Sequence, residues 1–538
     1  MKEGKTVPFW RNGIVLMSIG TVMIFTCLLA MDMETVDFAS ARISSRKTAE
    51  RTDLRNAVNR EMKIKPVTRS AHDRLMNVKH DPECLARTQH LLYRRDPERF
   101  APSPAFTKAW NRYVMMHKAC SHNKNWTHVF LHERGKTDDC NYLIVMEGNG
   151  GTGNKLLSLT SAFAYGLATD RVVMVEGRNQ FKYLLCDPFP ESSWFLPEDF
   201  PYQNVTDAEG LGVAIQRNFT DTSMVTLRLD HIQSWADTQF FCEHTHFGLM
   251  NVRWVGWSST QYFVTRLLMV PSIWERLNPL FPSGEIFTFL SHKVLLPKNE
   301  LWAHIVRLYF GYLAGSSKRV GVQVRLHGRW NLAEYDPVVF DHIVDCLQSR
   351  DVLPKLTTVD DVSDVMSFAR NGWESSTEIS VLVTSLQLKY YDELKDLYAG
   401  KPNVNKTAIR FHMVSHLGSQ DSSVHQGETA FVEMWLLSFS DVLAISAYST
   451  FGYVPQGIGG VKALYLNIKG EVFPNSTSCF DAYSTQPCTH NPQDPKCEGP
   501  GDANELHSEW MRHHVRECVD HPGGLQLVNE VVEEHSSG

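Results

Sequence analysis

The sequence predicts an α/β fold in which two Rossmann-like domains face a cleft, preceded by a transmembrane helix and a stem. Three observations predict it. A short apolar run, a glycine-rich loop, a helix with apolar periodicity and a second apolar run succeed one another over residues 142–176, the order of a parallel βαβ unit with a right-handed crossover. From residue 318 to 467 a second series of apolar runs alternates with helical patterns, which reads as another parallel sheet. Near the N-terminus, nineteen residues from Gly13 to Met31 carry no charge, and at about 1.5 Å per residue they nearly span a hydrocarbon core.

Composition excludes several classes. The 538 residues are 43% hydrophobic and 21% charged, which fits a globular chain and excludes a wholly disordered or fibrous one. Lys and Arg number 53 against 60 Asp and Glu, a formal charge of −7. No general basic field therefore exists to hold nucleic acid. No repeat period suggests a solenoid or propeller.

In chain order, residues 1–12 form a cytosolic tail with Lys2, Lys5 and Arg11 against Glu3. The span 13–31 follows, and Asp32, Glu34 and Asp37 stand beyond it. The positive-inside rule leaves the N-terminus in the cytosol and the bulk lumenal. A cleaved signal peptide is the competing reading, but the apolar stretch exceeds the usual length and lacks a small-x-small cleavage site. Residues 32–79 are polar and poor in aromatics, as suits a stem. An N-terminal α/β domain is assigned to 80–310, a C-terminal Rossmann-like donor domain to 311–475 and a Cys-rich tail to 476–538.

Outside the span the cysteines number an even ten, from Cys84 to Cys518, which in an oxidising compartment predicts several disulfides of unspecified pairing. Cys479, Cys488, Cys497 and Cys518 crowd the tail, which has little core of its own. Sequons at Asn125, Asn204, Asn218, Asn405 and Asn475 predict glycosylation.

The loop Gly148–Gly153 follows the first strand, where open α/β sheets bind ligands. Lys155 comes one place late for a P-loop, and Leu156 stands where a Ser or Thr would hold magnesium. A helix expected to begin near Lys155 would turn its positive end toward an anion or sugar. The strand GVQVR presents Gln323 and Arg325 at its carboxyl edge, followed by His327 and Arg329. If a nucleoside diphosphate departs there, a guanidinium meets its developing charge in fork geometry. At ~4 Å and an effective dielectric of ~20 the Coulomb attraction is about 4 kcal/mol. Ser449, Thr450, Phe451 and Gly452 precede or open another helix, with hydroxyls able to cap it and bind a diphosphate. Gly457, Gly459 and Gly460 are expected to end it.

The segments GNGGTGNKLLSLTSAFAYGLATDRVVMVE, LLCDPFPESSWFLPEDFP, FFCEH, GVQVR and STFGYVPQGIGGVKALYL occur in one order over about 130–500. Together they resemble the plant fucosyltransferases of family 37, which include xyloglucan α-1,2-fucosyltransferase. The resemblance implies a GT-B-like fold and an inverting Golgi enzyme that moves L-fucose from GDP-fucose to galactose of a cell-wall glycan without metal. It implies that Arg325 binds the donor diphosphate and that Gly151, Gly153 and Asn154 form a donor loop. The family's G-L-G-N-R turn is here Gly-Thr-Gly-Asn-Lys, and Pro455 and Ile458 replace the commoner Ala and Leu.

An inverting transfer removes the acceptor hydroxyl's proton, for which Asp237 is the first candidate, followed by Asp230 and Glu243. Cys242, His244 and His246 lack a clear distant pair of ligands for zinc. No Asp-x-Asp occurs to anchor a metal–sugar-nucleotide complex, so no metal or other cofactor is expected. The expected partners are GDP-fucose, a wall glycan and the Golgi membrane, with a second copy of the chain as a further candidate. Two other readings stay open: the same architecture with a different nucleotide sugar, and a membrane-anchored glycan-binding protein without catalysis.

Overall fold

The computed structural model describes residues 81–528, apart from 133–137, 147, 149, 178–179, 202–207, 231–233, 327–334, 357–377, 402, 404–406, 416–422, 469–476, 493–495 and 498–504. The span 13–31, the stem 32–79, the sequons at Asn204, Asn405 and Asn475, and His327 and Arg329 lie outside the described residues. Among the described residues no helix is long and apolar enough to cross a membrane.

Two sheets organise the chain. The first contains β1 (Tyr142–Val145), β2 (Val172–Val175), β3 (Ala208–Gly210), β4 (Met224–Leu229) and β5 (Trp254–Ser259), in the order β2-β1-β5-β4-β3. Its pairs are all parallel, and β1 meets β2 in the register Tyr142↔Val172 to Val145↔Val175. Every residue of β1 and β2 is buried, which is why their sequences are continuous apolar runs without alternation. Strands β3 to β5 add to the sequence reading. Thr226 and Arg228 interrupt β4, and Gly256 and Ser258 interrupt β5, so neither presents such a run.

The second sheet contains β6 (Lys318–Val324), β7 (Glu378–Ser385), β8 (Ala408–His412), β9 (Val442–Ser446), β10 (Leu464–Leu466) and β11 (Cys479–Asp481), ordered β11-β10-β9-β6-β7-β8. Only the β10–β11 pair is antiparallel. A separate hairpin, β12 (Val515–Cys518) with β13 (His521–Leu527), closes the tail.

Helix α1 (Thr152–Thr169) crosses from β1 to β2 and is buried on nearly all sides. It packs on α2 (Ile286–Val294) and, from the second half of the chain, on α3 (Val424–Leu437) and α4 (Thr450–Gly459). Among the described residues its apolar faces thus join the two sheets into one body. Its polar residues bond inward: Thr160 Oγ1 donates to the Leu156 carbonyl at 3.0 Å, and Trp257 Nε1 donates to Ser158 Oγ at 3.1 Å. At its C-terminus Asp170 adopts a left-handed cap, φ 53°.

Two helix boundaries differ from expectation. Helix α1 begins at Thr152, three residues before Lys155, because Gly151 is its extended N-cap and the glycine loop feeds straight into the first turn. In α4 only Gly460 is the left-handed cap, φ 58°, whereas Gly457 and Gly459 lie inside the helix. Both are there for space: a Cβ on Gly457 would stand 2.1 Å from the Phe287 ring of α2, and one on Gly459 would stand 2.8 Å from the Ser438 carbonyl.

The ten cysteines outside the span form five disulfides: Cys84–Cys186, Cys120–Cys140, Cys242–Cys497, Cys346–Cys479 and Cys488–Cys518. Within the tail only Cys488 and Cys518 pair with each other. Cys479 and Cys497 reach back across 133 and 255 residues, closing loops that in the chain-entropy account are worth on the order of 4–5 kcal/mol each.

Candidate active site

The carboxyl edges of the two sheets frame a cavity of about 740 Å³, within the range of small-molecule sites. The loop after β1 contributes Gly150 to Lys155. Strand β6 ends in it with Gln323, Val324 and Arg325, and β7 with Thr384 and Ser385; Ser415 follows β8. Helix α3 lends Gln426, Thr429, Glu433 and Met434, and α4 begins in it with Thr450 and Phe451.

The N-termini of α1 and α4 therefore open into one space, as does that of α3 through its N-cap Ser423. Free backbone N–H groups of the first turns of α1 and α4 give the cavity a positive lining without side-chain charge. The two turns touch. A Cβ on Gly153 would meet the Thr450 carbonyl at 2.9 Å, and the Thr450 hydroxyl donates to Asn154 Oδ1 at 2.6 Å.

Arg325 follows the last residue of β6, its backbone N–H donating to Ser446 Oγ at 2.8 Å. Burial pulls its guanidinium below its ordinary value, yet arginine stays charged at neutral pH. Gln323 is buried with its Oε1 unbonded among the described residues, and it also bounds Gly452, where a Cβ would lie 2.9 Å from that oxygen.

Gly151, Gly153, Asn154, Gln323, Arg325, Thr450 and Phe451 are thus brought together in the cavity lining. Ser449 and Gly452 stand behind it. Ser449 occupies the N-cap of α4, but its buried hydroxyl makes no capping bond; only its carbonyl serves, accepting from Gly452 and Tyr453 N–H. The capping role expected of its hydroxyl is not realised, because that side chain is turned into the core.

The three carboxylates considered as bases separate. Asp237 does not line the cavity: its Oδ2 accepts from the Ser234 hydroxyl at 2.7 Å and its Oδ1 from the Arg228 backbone N–H at 3.3 Å. Glu243 accepts from the Ser272 N–H at 3.1 Å. Asp230, at the carboxyl end of β4, accepts from the Thr260 hydroxyl at 3.2 Å, and Thr260 in turn packs against Gly150. His246 is buried against Tyr165 and Phe240, which lowers its pKa to about 3, while Cys242 is in a disulfide. Among the described residues, the cluster with ligand-like spacing is Cys488, Cys518 and Asp520, whose two sulfurs are bonded to each other.

Glu433 escapes a reading of the sequence. It sits mid-helix in α3, buried, and its carboxyl accepts from the Ser415 N–H at 3.1 Å. Burial pushes its pKa up to about 8, only partly offset by that bond. The apolar face of FVEMWLLSF was the available signal, since an acid inside it must be buried. Asp520, in the tail, was also out of reach: it accepts from the Tyr453 hydroxyl at 2.5 Å and the Tyr448 N–H at 3.0 Å, holding Tyr448 at φ 67° just before the Ser449–Thr450 turn.

The sequence profile described as xyloglucan fucosyltransferase matches residues 74–498. The chain belongs to that family. It is 33% identical to fucosyltransferase 2 of Arabidopsis thaliana over 83% of this chain and 84% of that protein. It is equally 33% identical to a galactoside 2-α-L-fucosyltransferase of Pisum sativum, over 84% of this chain and 80% of the relative. A solved structure of an Arabidopsis thaliana FUT1 mutant in complex with GDP superposes with a TM-score of 0.70 at 31% identity, covering 84% of this chain and 98% of that one. In this family member the α/β fold with parallel sheets is thus shared with a fucosyltransferase solved with GDP.

Proposed function

We propose that the protein transfers L-fucose from GDP-fucose, with inversion, to the 2-hydroxyl of a galactose in a plant cell-wall glycan such as xyloglucan. The observation that carries this reading is the convergence of two helix N-termini and Arg325 on one cavity between two parallel sheets. A diphosphate is the ligand such an arrangement suits. The GDP-bound relative and the galactoside fucosyltransferases supply the donor and acceptor class.

In this reading the acceptor oxygen attacks the anomeric carbon, the bond from that carbon to the diphosphate breaks, and GDP leaves with the electron pair. Arg325 and the N–H groups of α1 and α4 meet the charge that grows on the departing phosphate. Asn154 and Thr450 hold the two loops in register. Glu433, as a carboxylate, accepts from the paired N–H groups on the edge of guanine, an edge that pyrimidines lack. Asp230 is the carboxylate linked to the glycine loop and so the better placed of the three to take the hydroxyl proton. The chemistry needs no metal in this scheme. The span 13–31 anchors the chain as a single-pass type II protein of the Golgi membrane, with glycans on exposed sequons such as Asn125 and Asn218.

A thermal-shift panel of GDP, UDP and CMP tests the donor, since a ligand that binds only the folded state raises its stability. GDP alone should stabilise the protein markedly. Incubation of the protein with GDP-fucose, wall glycans and a chelator should yield an α-1,2-linked fucose; no product, or product only when divalent metal is restored, would defeat the scheme.

A further inference from the structure

We propose that Trp235 is a platform for the acceptor glycan beyond the sugar that reacts, and that Asp237 is the positioning residue that holds it. Trp235 opens the one-turn helix Trp235–Thr238 after β4 and is 68% exposed. A side chain that large gains nothing from its fold by standing in water. The turn beneath it is nevertheless rigidly tied. Ser234 Oγ accepts from the Asp237 N–H at 3.1 Å and its hydroxyl donates to Asp237 Oδ2 at 2.7 Å, while Asp237 Oδ1 takes the Arg228 N–H. On the other side Ala236 packs so closely on Gly212 that a Cβ there would lie 2.8 Å away. The carboxylate that looks like a base by its position in the sequence is engaged in fixing an exposed indole.

The Trp235 turn and the glycine loop of the donor cavity stand at the same edge of the first sheet. Gly150 packs on Thr260, whose hydroxyl bonds Asp230 at the end of β4, and the Trp235 turn is bound to the same end of that strand through Arg228. Strand β4 lies two strands from β1, a lateral distance of about 10 Å, within reach of a short oligosaccharide seated at the glycine loop. A flat indole suits the C–H face of one sugar ring, as rigid aromatics do at binding surfaces. An indole offers an apolar face and one N–H donor, a combination that a neutral glycan matches.

The inference rests on the reading of the cavity as a GDP-fucose site, and the test separates the two. Trp235→Ala should raise KM for a galactosylated glucan oligosaccharide about tenfold. It should leave kcat, the KM for a simple β-galactoside disaccharide and the GDP thermal shift unchanged, and Trp235→Phe should restore most of the loss. Asp237→Ala should reproduce the KM effect, with kcat on the disaccharide retained. Equal KM in wild type and Trp235→Ala, or a fall in kcat with both acceptors for Asp237→Ala, would overturn it. A change in sedimentation with unchanged KM would instead mark the indole as a contact between copies and equally overturn it. Calorimetry of the oligosaccharide without nucleotide keeps the question decidable if GDP proves inert: Trp235→Ala must weaken that binding.

Discussion

The two ends of the second sheet are built from the same strands and place their charges in opposite settings. At the amino end Arg319, buried at the start of β6, donates to Asp441 through Nε, Nη2 and its backbone N–H at 3.2, 2.6 and 2.8 Å, and Arg95 donates to the same carboxylate at 2.8 Å. Burial alone would raise the Asp441 pKa, but these bonds outweigh it and hold the carboxyl below its ordinary value. At the carboxyl end, eight residues earlier in sequence, Glu433 is buried more deeply than Asp441, accepts from the Ser415 backbone N–H, and is pushed by burial up to a pKa of about 8. A charge completed by protein partners serves the fold; a charge left to be completed from a cavity serves a ligand.

Breaking the amino end should cost the most. Arg319→Ala leaves Asp441 with part of its partners and should lower stability by about 3 kcal/mol, read as a fall in the denaturation midpoint, with turnover of the remaining folded enzyme near wild type. Arg325→Ala should do the reverse, losing about 100-fold in turnover while its melting temperature stays put. Near-normal turnover in the purified variant would remove Arg325 from the chemistry.

Glu433→Gln sharpens the contrast through pH. A raised folded pKa means the folded state holds its proton longer than the unfolded one, so this group's stabilisation is complete below about 4.5 and is lost as pH rises through about 8. Asp441 has the opposite sign: its contribution is full above the ordinary carboxylate value and disappears as pH falls through its depressed one. Urea titrations across pH should show the fall in stability between about 4.5 and 8 vanish in Glu433→Gln and the acid-side slope diminish in Asp441→Asn. If guanine N–H groups bind the carboxylate, GDP should bind with release of a proton near neutral pH and affinity should rise toward pH 8. Glu433→Gln should weaken GDP about tenfold and abolish that proton release, measured by calorimetry in buffers of different ionisation enthalpy.

The smallest effect should come from Gly153→Ala. The added methyl meets the Thr450 carbonyl at 2.9 Å, a backbone contact that yields only if one loop moves against the other, so donor KM should rise severalfold with kcat little changed.

Much of this was legible from local pattern. The apolar runs of β1, β2, β6, β7, β9 and β10 stand in the chain close to where they stand in the sheets, because strands buried on both faces are mostly apolar; the edge strand β8 keeps an exposed Arg410 among its apolar residues. The glycine loop, Arg325 and Thr450 follow from strand ends, since the carboxyl edge of a parallel sheet is where loops meet. Strands β4 and β5 were obscured by Arg228, which faces outward, and by Gly256, which the Met146 and Met224 side chains crowd.

What the sequence determined by itself was the alternation of buried strands and helices, the even set of cysteines and the polar groups carried to strand ends, all properties of residues within a few places of each other. Only the tertiary structure decided which cysteines pair, that Asp237 pins a turn, and that Glu433 lines a cavity. Those outcomes depend on burial and on partners far away in sequence, and a side chain's chemistry changes with what surrounds it.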